Sequence, residues 1–242
     1  MAVYLCHEFP ELYEHEARVV DAEPGRVLLD RSALHPGGGG QVADTGWIEF
    51  GGGVVPITGV ETVTAPSGDE QVWHLLGEGV QLSGQVMLRI DADRRSRVAQ
   101  LHTDSHILNA LVFDRFPGTL VTGAQINDDG TGRMDFDLSQ VDNDVLRGLD
   151  SGVNEVIGRG LDVRGVYVDA DAADTTAGLV RSLSVAPPPT PDGRLRIIDI
   201  DGVDRQACGG THLSNTAQSA PFRITKVENK GKRNRRIRFA LA

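Results

Sequence analysis

Along roughly the first ninety residues, apolar and polar positions alternate in short runs that are cut by glycine and proline: ARVVDAEPGRVLLDRS, TGWIEFGGGVVPITGVETV, QVWHLLGE and SGQVMLRID. A period of two bounded by turn residues predicts half-buried strands, and turns about every ten residues predict a small β-barrel or sandwich. From Asp91 the period lengthens. DADRRSRVAQLHTDSHILNALVFDRF sets Val98, Leu101, Ile107, Leu108 and Leu111 at helical spacing, with Asp91 or Asp93 as N-cap and a stop near Phe116-Pro117-Gly118. Beyond it, TLVTGAQINDD and GRMDFDLS predict short strands, DNDVLRGLDSGVNEVIGRG a second helix and LDVRGVYVD another strand. Asp171 to Leu183 reads as a further short helix, APPPTPDG (186–193) as a rigid surface loop, and RLRIIDIDGVDRQ as the strand leading to Cys208. Helices and antiparallel strands segregated in this way make the second part α+β. The expected organisation is a β-barrel-like domain over 1–90 and an α+β domain over 91–242, without internal repeats.

Composition changes this picture little. A chain of 242 residues suffices for one large domain or two small ones with real cores. It has no run of eighteen apolar residues, and MAVYLCHEFPELYEHEAR turns charged at once, so a soluble cytoplasmic protein is expected. Net charge changes it more. At −10 the chain is a poor general binder of nucleic acid. Yet from Arg223 to Arg238, RITKVENKGKRNRRIR carries Lys226, Lys230, Lys232, Arg233, Arg235 and Arg236 among its cations against the single acid Glu228. Such a local stripe suits a phosphate backbone approached from one side. It also reads as a hairpin of ITKVEN and RRIRFAL with Gly231 at the bend, and the two readings are compatible. Arg89, Arg94, Arg95 and Arg97 either extend the basic surface or form a solvated helix face.

The chemistry concentrates in two pairs. His102 and His106 stand four apart in LHTDSHILNAL, and Cys208 and His212 four apart in ACGGTHLSNT. An i, i+4 pair on a helix turns both rings to one side, and imidazole with thiolate is the donor set zinc prefers. One HxxxH means little alone; a CxxxH in a chain with only two cysteines turns the four residues into a candidate site for one zinc ion per chain. Cobalt or iron would fit the same donors, with availability deciding. Cys6 is expected to be a small buried apolar residue. A third motif is HPGGGGQVADTGWIEF. Four glycines in a row, Gly37 to Gly40, cost backbone entropy and imply that something approaches the main chain closely. The loop lacks the Lys-Ser/Thr of a P-loop and the spacing of a dinucleotide fingerprint, and a plain hairpin tip stays open as its role.

GGGQVADTG in a β-rich first part, HTDSH in a helix, and CGGTH ahead of a basic tail together resemble the editing domain of alanyl-tRNA synthetase and its freestanding AlaX-type relatives, from about Leu28 to Leu241. The resemblance implies a zinc-containing editing domain that hydrolyses the ester joining a wrong amino acid to tRNA, serine and sometimes glycine on alanine tRNA. It places His102, His106, Cys208 and His212 on the metal positions, and Gly38, Gly39, Gly40 and Gln41 on the loop bordering the substrate. Ser105 stands where relatives often have threonine, and Thr122 aligns with a residue that meets the serine hydroxyl. Asp104 departs from the pattern, which has a small apolar residue there; as a catalytic candidate it would orient a histidine or meet the substrate ammonium. A threonine-like substrate is therefore an alternative. Alternatives of other classes are a tRNA-binding module with structural zinc and a small-molecule zinc hydrolase. Three firm ligands are expected, with His212 the loosest, because a water-activating zinc needs an open position.

Overall fold

The computed structural model describes residues 5–68, 70–139, 141–171, 178–183, 190 and 192–242. The chain divides into two compact units, Met1–Gly38 with Val42–Ser96, and Gly39–Gln41 with Arg97–Ala242. In the first, a short α1 (Leu5–Glu8) precedes β1 (Glu14–Glu23), β2 (Arg26–Leu29), β3 (Gly46–Phe50), β4 (Gly53–Ile57), β5 (Gly59–Thr64), β6 (Glu70–Leu75) and β7 (Gln85–Ile90). They form one antiparallel sheet in the order β4-β3-β7-β1-β2-β6-β5. The ten-residue β1 serves both halves of it. Residues 14–18 pair with β7 and residues 19–23 with β2, and the register slips between Val19 and Asp21. A bulge in a central strand bends it and adds twist, so the sheet curls around its core. Leu34, Ile48, Leu88 and Ile57 sit at the centre of that core, each 2 % exposed or less. The expected barrel is thus a curled half-barrel: among the described residues β4 and β5 are sheet edges, joined in sequence through Thr58.

Two buried polar groups organise this unit. Arg95 donates from Nε to both oxygens of Asp44, at 3.0 and 2.9 Å, and from Nη2 to the Ala33 carbonyl. Asp44 in turn accepts from the His35 amide. Asp44, the acid of the GGGGQVAD run, therefore answers a buried cation, and Arg95 is not part of a solvated helix face. His74 is fully buried, with Nδ1 3.3 Å from the Val27 carbonyl and Nε2 2.8 Å from Ser32 Oγ. Burial holds its pKa down at about 4, against the partial compensation of that carbonyl. Cys6 is buried, as expected.

Asp91 accepts from the Arg94 amide and so caps α2 (Ala92–Arg115), most of which lies in the second unit. After α2 come β8 (Val121–Ile126), β9 (Thr131–Asp137), α3 (Asn143–Arg147), α4 (Leu149–Gly158), β10 (Val163–Asp169), β11 (Arg194–Ile200), β12 (Asp204–Ala207), a 3-10 turn at Thr216–Gln218, β13 (Phe222–Asn229) and β14 (Asn234–Leu241). Two antiparallel sheets result, β13-β14-β9-β8 and β10-β11-β12. The expected second helix is two helices that meet at Gly148, and the strand expected before Cys208 is the β11–β12 hairpin, turned at Asp201-Gly202-Val203. The basic tail is the β13–β14 hairpin, with Gly231 in its turn at φ 85°. Of the helix expected over Asp171–Leu183, residues 172–177 lie outside the described residues, and 178–183 are extended or turn rather than helical, bridging to Val121 on β8. Most of the loop 186–193 lies outside the described residues. No helix among the described residues is long and apolar enough to cross a membrane.

Candidate metal centre

From Leu101 to Ala110 every residue of α2 is buried, so this stretch of the helix has no solvent face for its polar side chains. Each of them needs a partner inside the protein. His102 and His106 find theirs one helical turn apart, beside the segment that follows β12. The ligand-capable atoms of His102, His106, Cys208 and His212 all lie within 4.8 Å of one another, and all four residues are buried. Cys208 Sγ is 3.4 Å from His102 Nε2 and 3.3 Å from His212 Nε2. A tetrahedral zinc with ordinary Zn–N and Zn–S bonds sets N and S about 3.6 Å apart. The donor set and its spacing fit that ion.

Hydrogen bonds behind the rings decide which nitrogen faces inward. Gln41 Oε1 accepts from the Thr211 amide at 3.0 Å, which identifies it as the oxygen, and it lies 2.8 Å from His102 Nδ1. His102 therefore donates from Nδ1 and keeps the lone pair on Nε2. His106 Nδ1 meets Asp204 Oδ2 at 3.0 Å, and His212 Nδ1 meets Thr103 Oγ1 at 3.2 Å. All three imidazoles thus turn Nε2 inward, backed by an acceptor of the kind that orients metal-binding histidines. Gln41 Nε2 also donates to Thr211 Oγ1 at 3.0 Å, so one side chain ties the glycine-rich loop to the ligand segment.

The loop 208–212 is held from below by Arg196 on β11, whose Nη1 donates to the carbonyls of Cys208 and Gly210, both at 2.9 Å. Gly210 itself must be glycine. A Cβ there would lie 2.2 Å from His102 Cε1 and 2.6 Å from Gln41 Oε1. Gly40 is equally constrained, because at φ 91° a Cβ would meet the Ala124 carbonyl oxygen at 2.7 Å. Within the run of four glycines, Gly40 thus shows the close approach that the sequence implied, whereas a Cβ at Gly38 or Gly39 would meet nothing within 4 Å and glycine is favoured there by positive φ.

Electrostatics favour a thiolate. Burial pushes the Cys208 thiol up, but the three surrounding imidazoles outweigh it and hold its pKa well below the ordinary value. For His106, burial alone would lower the pKa; the Cys208 thiolate and the Asp204 carboxylate reverse this and raise it to about 10. Burial, then repulsion from His102, holds His212 well below its usual value. His106 thus holds a proton that a metal bound at this cluster would displace.

The other sequence candidates make contacts of their own. Asp104 leaves α2 about 200° around from His102. Its Oδ2 accepts from Ser219 Oγ at 2.8 Å, ahead of β13, while Oδ1 is buried without a hydrogen-bond partner, and burial raises the carboxyl pKa to about 7. Ser105 Oγ donates back to the His102 carbonyl at 2.7 Å. Thr122 on β8 accepts from Asn234 Nδ2 at 2.8 Å. Gly39, Gly40 and Gln41 belong to the same unit as the cluster, and Gly38 to the other. Of the six basic candidates, Arg235 is buried and Arg236 makes a two-pronged pair with Asp135. Lys226 pairs with Glu228 and Arg233 with Asp137, whereas Lys230 and Lys232 are exposed beside the turn.

Sequence reasoning missed Thr103, Asp204 and Arg196. For Asp204 a signal existed. Asp204, Gln206 and Cys208 alternate with period two, so the residues that share Cys208's side of an extended segment meet α2: Asp204 at His106, and Gln206 at Asn109 Nδ2, 3.0 Å away.

Residues 195–238 match the family described as the threonyl and alanyl tRNA synthetase second additional domain. Over 231 residues the chain is 33 % identical to the alanyl-tRNA editing protein AlaX-M of Saccharolobus solfataricus, covering 94 % of each. It is 32 % identical to the protein of the same name from Methanosarcina mazei over 240 residues, 95 % of this chain and 92 % of the other. The alanine–tRNA ligase of Korarchaeum cryptofilum is 32 % identical over 227 residues, which are 92 % of this chain and 24 % of the ligase.

Proposed function

Because the chain belongs to the family of AlaX-M alanyl-tRNA editing proteins, we propose that it is a cytoplasmic trans-editing deacylase that hydrolyses the ester of mischarged alanine tRNA, seryl-tRNA first and glycyl-tRNA second. The observation that carries this reading is the buried His102–His106–Cys208–His212 cluster with all three Nε2 atoms turned inward. Those four residues would hold one zinc ion, which when bound supplies a positive charge that polarises a carbonyl or acidifies a water. The chain's own residues do the rest. Gln41, Asp204 and Thr103 fix the rings, Arg196 fixes the loop 208–212, and the glycine-rich loop reaches the cluster through Gln41. Nothing in the distances sets His212 apart from His102. Its role as the ligand that yields a position is tested by His212→Ala, which should keep zinc and lose turnover.

Discrimination against alanine would rest on hydrogen bonds to the substrate hydroxyl, since a site built for one leaves its polar groups unpaired when alanine enters and can reject it by about 10⁴. Thr122 accepts from Asn234 and so keeps its own O–H to offer; Ser105 already spends its O–H on the His102 carbonyl. Thr122→Val should therefore narrow the serine-to-alanine ratio, and Ser105→Ala should change it less. Asp104, bonded to Ser219 on another side of α2, gives no support to a threonine-like substrate. tRNA would be met by Lys230 and Lys232, with Arg233 and Lys226 exchanging their exposed partners for phosphate. Arg235 and Arg236 would contribute less, being buried or paired. Such contacts release counterions, so affinity should fall steeply with salt.

The test is hydrolysis of seryl-, glycyl- and alanyl-tRNA(Ala), and of seryl- and threonyl-tRNA(Thr), with Cys208→Ala as control. Clearance of seryl-tRNA(Ala) that spares alanyl-tRNA(Ala) and disappears with Cys208 is the expected result. Absence of metal-dependent hydrolysis of every ester would overturn the reading in favour of a binding module.

A further inference from the structure

Behind His106 the chain of contacts does not stop at Asp204. Asp204 is wholly buried, and Arg181 Nη1 lies 3.0 Å from its Oδ1, the oxygen turned away from the histidine. The contact is an ion pair off the hydrogen-bonding line, because Oδ1 has no aligned donor. Arg181 is itself held on three sides. Its Nε donates to the Gly178 carbonyl at 2.9 Å, its guanidinium carbon stands 4.3 Å over the ring of Phe113, and its backbone carbonyl accepts from the Val121 amide at 2.8 Å. Phe113 lies two turns beyond His106 on α2, so the helix that supplies the histidine also supplies the platform for the cation that faces the histidine's carboxylate.

We propose that Arg181 is a positioning residue of the metal centre, fixing the Asp204 carboxylate so that His106 presents Nε2 to the bound metal. A carboxylate with no solvent needs a countercharge, and the imidazole of a metal-bound histidine is neutral. Arg181 supplies that charge, and its stacking on Phe113 fixes the direction from which it acts. It touches neither metal nor substrate, and it lies more than twenty residues from any ligand in sequence, next to residues outside the described structure, so no motif marks it.

The inference rests on the metal reading above, and its test is read in metal affinity rather than turnover. Zinc affinity of the full chain is measured by chelator competition for the wild type, Arg181→Met, Arg181→Lys, Asp204→Asn and the double variant Arg181→Met with Asp204→Asn. The visible spectrum of the cobalt-loaded forms reports ligand geometry. Arg181→Met should weaken zinc about 10- to 100-fold and shift the cobalt bands, the range for losing a group behind a metal ligand. Arg181→Lys, which keeps the charge, should recover most of the affinity. In the Asp204→Asn background the loss of Arg181 should cost little more, since it acts through the carboxylate. Wild-type zinc affinity and an unshifted cobalt spectrum in Arg181→Met would overturn the proposal, as would additive losses in the double variant, or equal losses in Arg181→Met and Arg181→Lys. A wild-type chain that takes up no metal would overturn the metal reading as well.

Discussion

Gly210 shows how narrow the tolerances around the cluster are. Its missing side chain is space already taken by the His102 ring and Gln41. Gly210→Ala must push one of them away, and the backbone cannot yield freely because Arg196 grips the Gly210 carbonyl. Zinc affinity in Gly210→Ala is expected to fall at least 10-fold, by the same loosening that loss of a supporting group causes; chelator competition measures it. His74 makes a prediction in pH. Its folded pKa of about 4 lies below the unfolded value of 6.5. The unfolded chain therefore binds the extra proton between those values, so the contribution is fully present above pH 6.5 and is lost as pH falls towards 4. About 3 kcal/mol is at stake from the size of the shift. Denaturant midpoints measured across pH 4 to 7 should show this slope in the wild type and a shallower one in His74→Gln. At this scale the grouping of His102, His106, Cys208 and His212 was legible, because spacing and residue type sufficed. Asp104 could have been placed as well: two residues from His102 is more than half a turn of helix. Arg181 and Arg196 were not legible, since nothing local shows what a strand or loop packs against.

Among elements, α2 is where pattern and structure agree most fully, from the Asp91 cap to the stop before Pro117. The segment after it agrees less. DNDVLRGLDSGVNEVIGRG has one helical period but forms α3 and α4, which meet at Gly148. Gly148 has φ −72° and ψ −4°, its amide still reaches the Asp144 carbonyl at 3.1 Å, and a Cβ would meet nothing closer than 3.7 Å. Its conformation is open to any residue, so glycine here serves only to loosen the unfolded chain. Gly148→Ala is expected to stabilise the protein by about 0.4–1 kcal/mol, as equilibrium denaturation would show. The curl of the first sheet was legible as closely spaced turns. The incomplete closure was not, because it depends on which edge strands find partners, and alternation says nothing about pairing.

For the whole molecule, the metal cluster gathers Gln41, the middle of α2 and the loop 208–212 into one unit. A metal that binds only the folded chain stabilises it by mass action, about 4 kcal/mol when free metal exceeds its dissociation constant 1,000-fold. Removing zinc with a strong chelator should lower the unfolding temperature of the wild type by several degrees and leave Cys208→Ala unmoved. Thermal unfolding followed by circular dichroism with and without chelator gives both numbers.

The hundred-residue gap between the two ligand pairs also sets an order of events during synthesis. His102 and His106 emerge together but offer a metal only two nitrogens, a weak hold that ordinary cellular buffers can outcompete. Cys208 and His212 emerge much later, and they reach α2 only once the β11–β12 hairpin has formed and docked. A loop this long must close before any metal rewards it, so the ion cannot act as a nucleus for folding. Metal loading at this cluster would therefore be a late checkpoint: a chain stalled before Cys208 offers only the two histidines of α2, and the full donor set exists only once the strands have assembled.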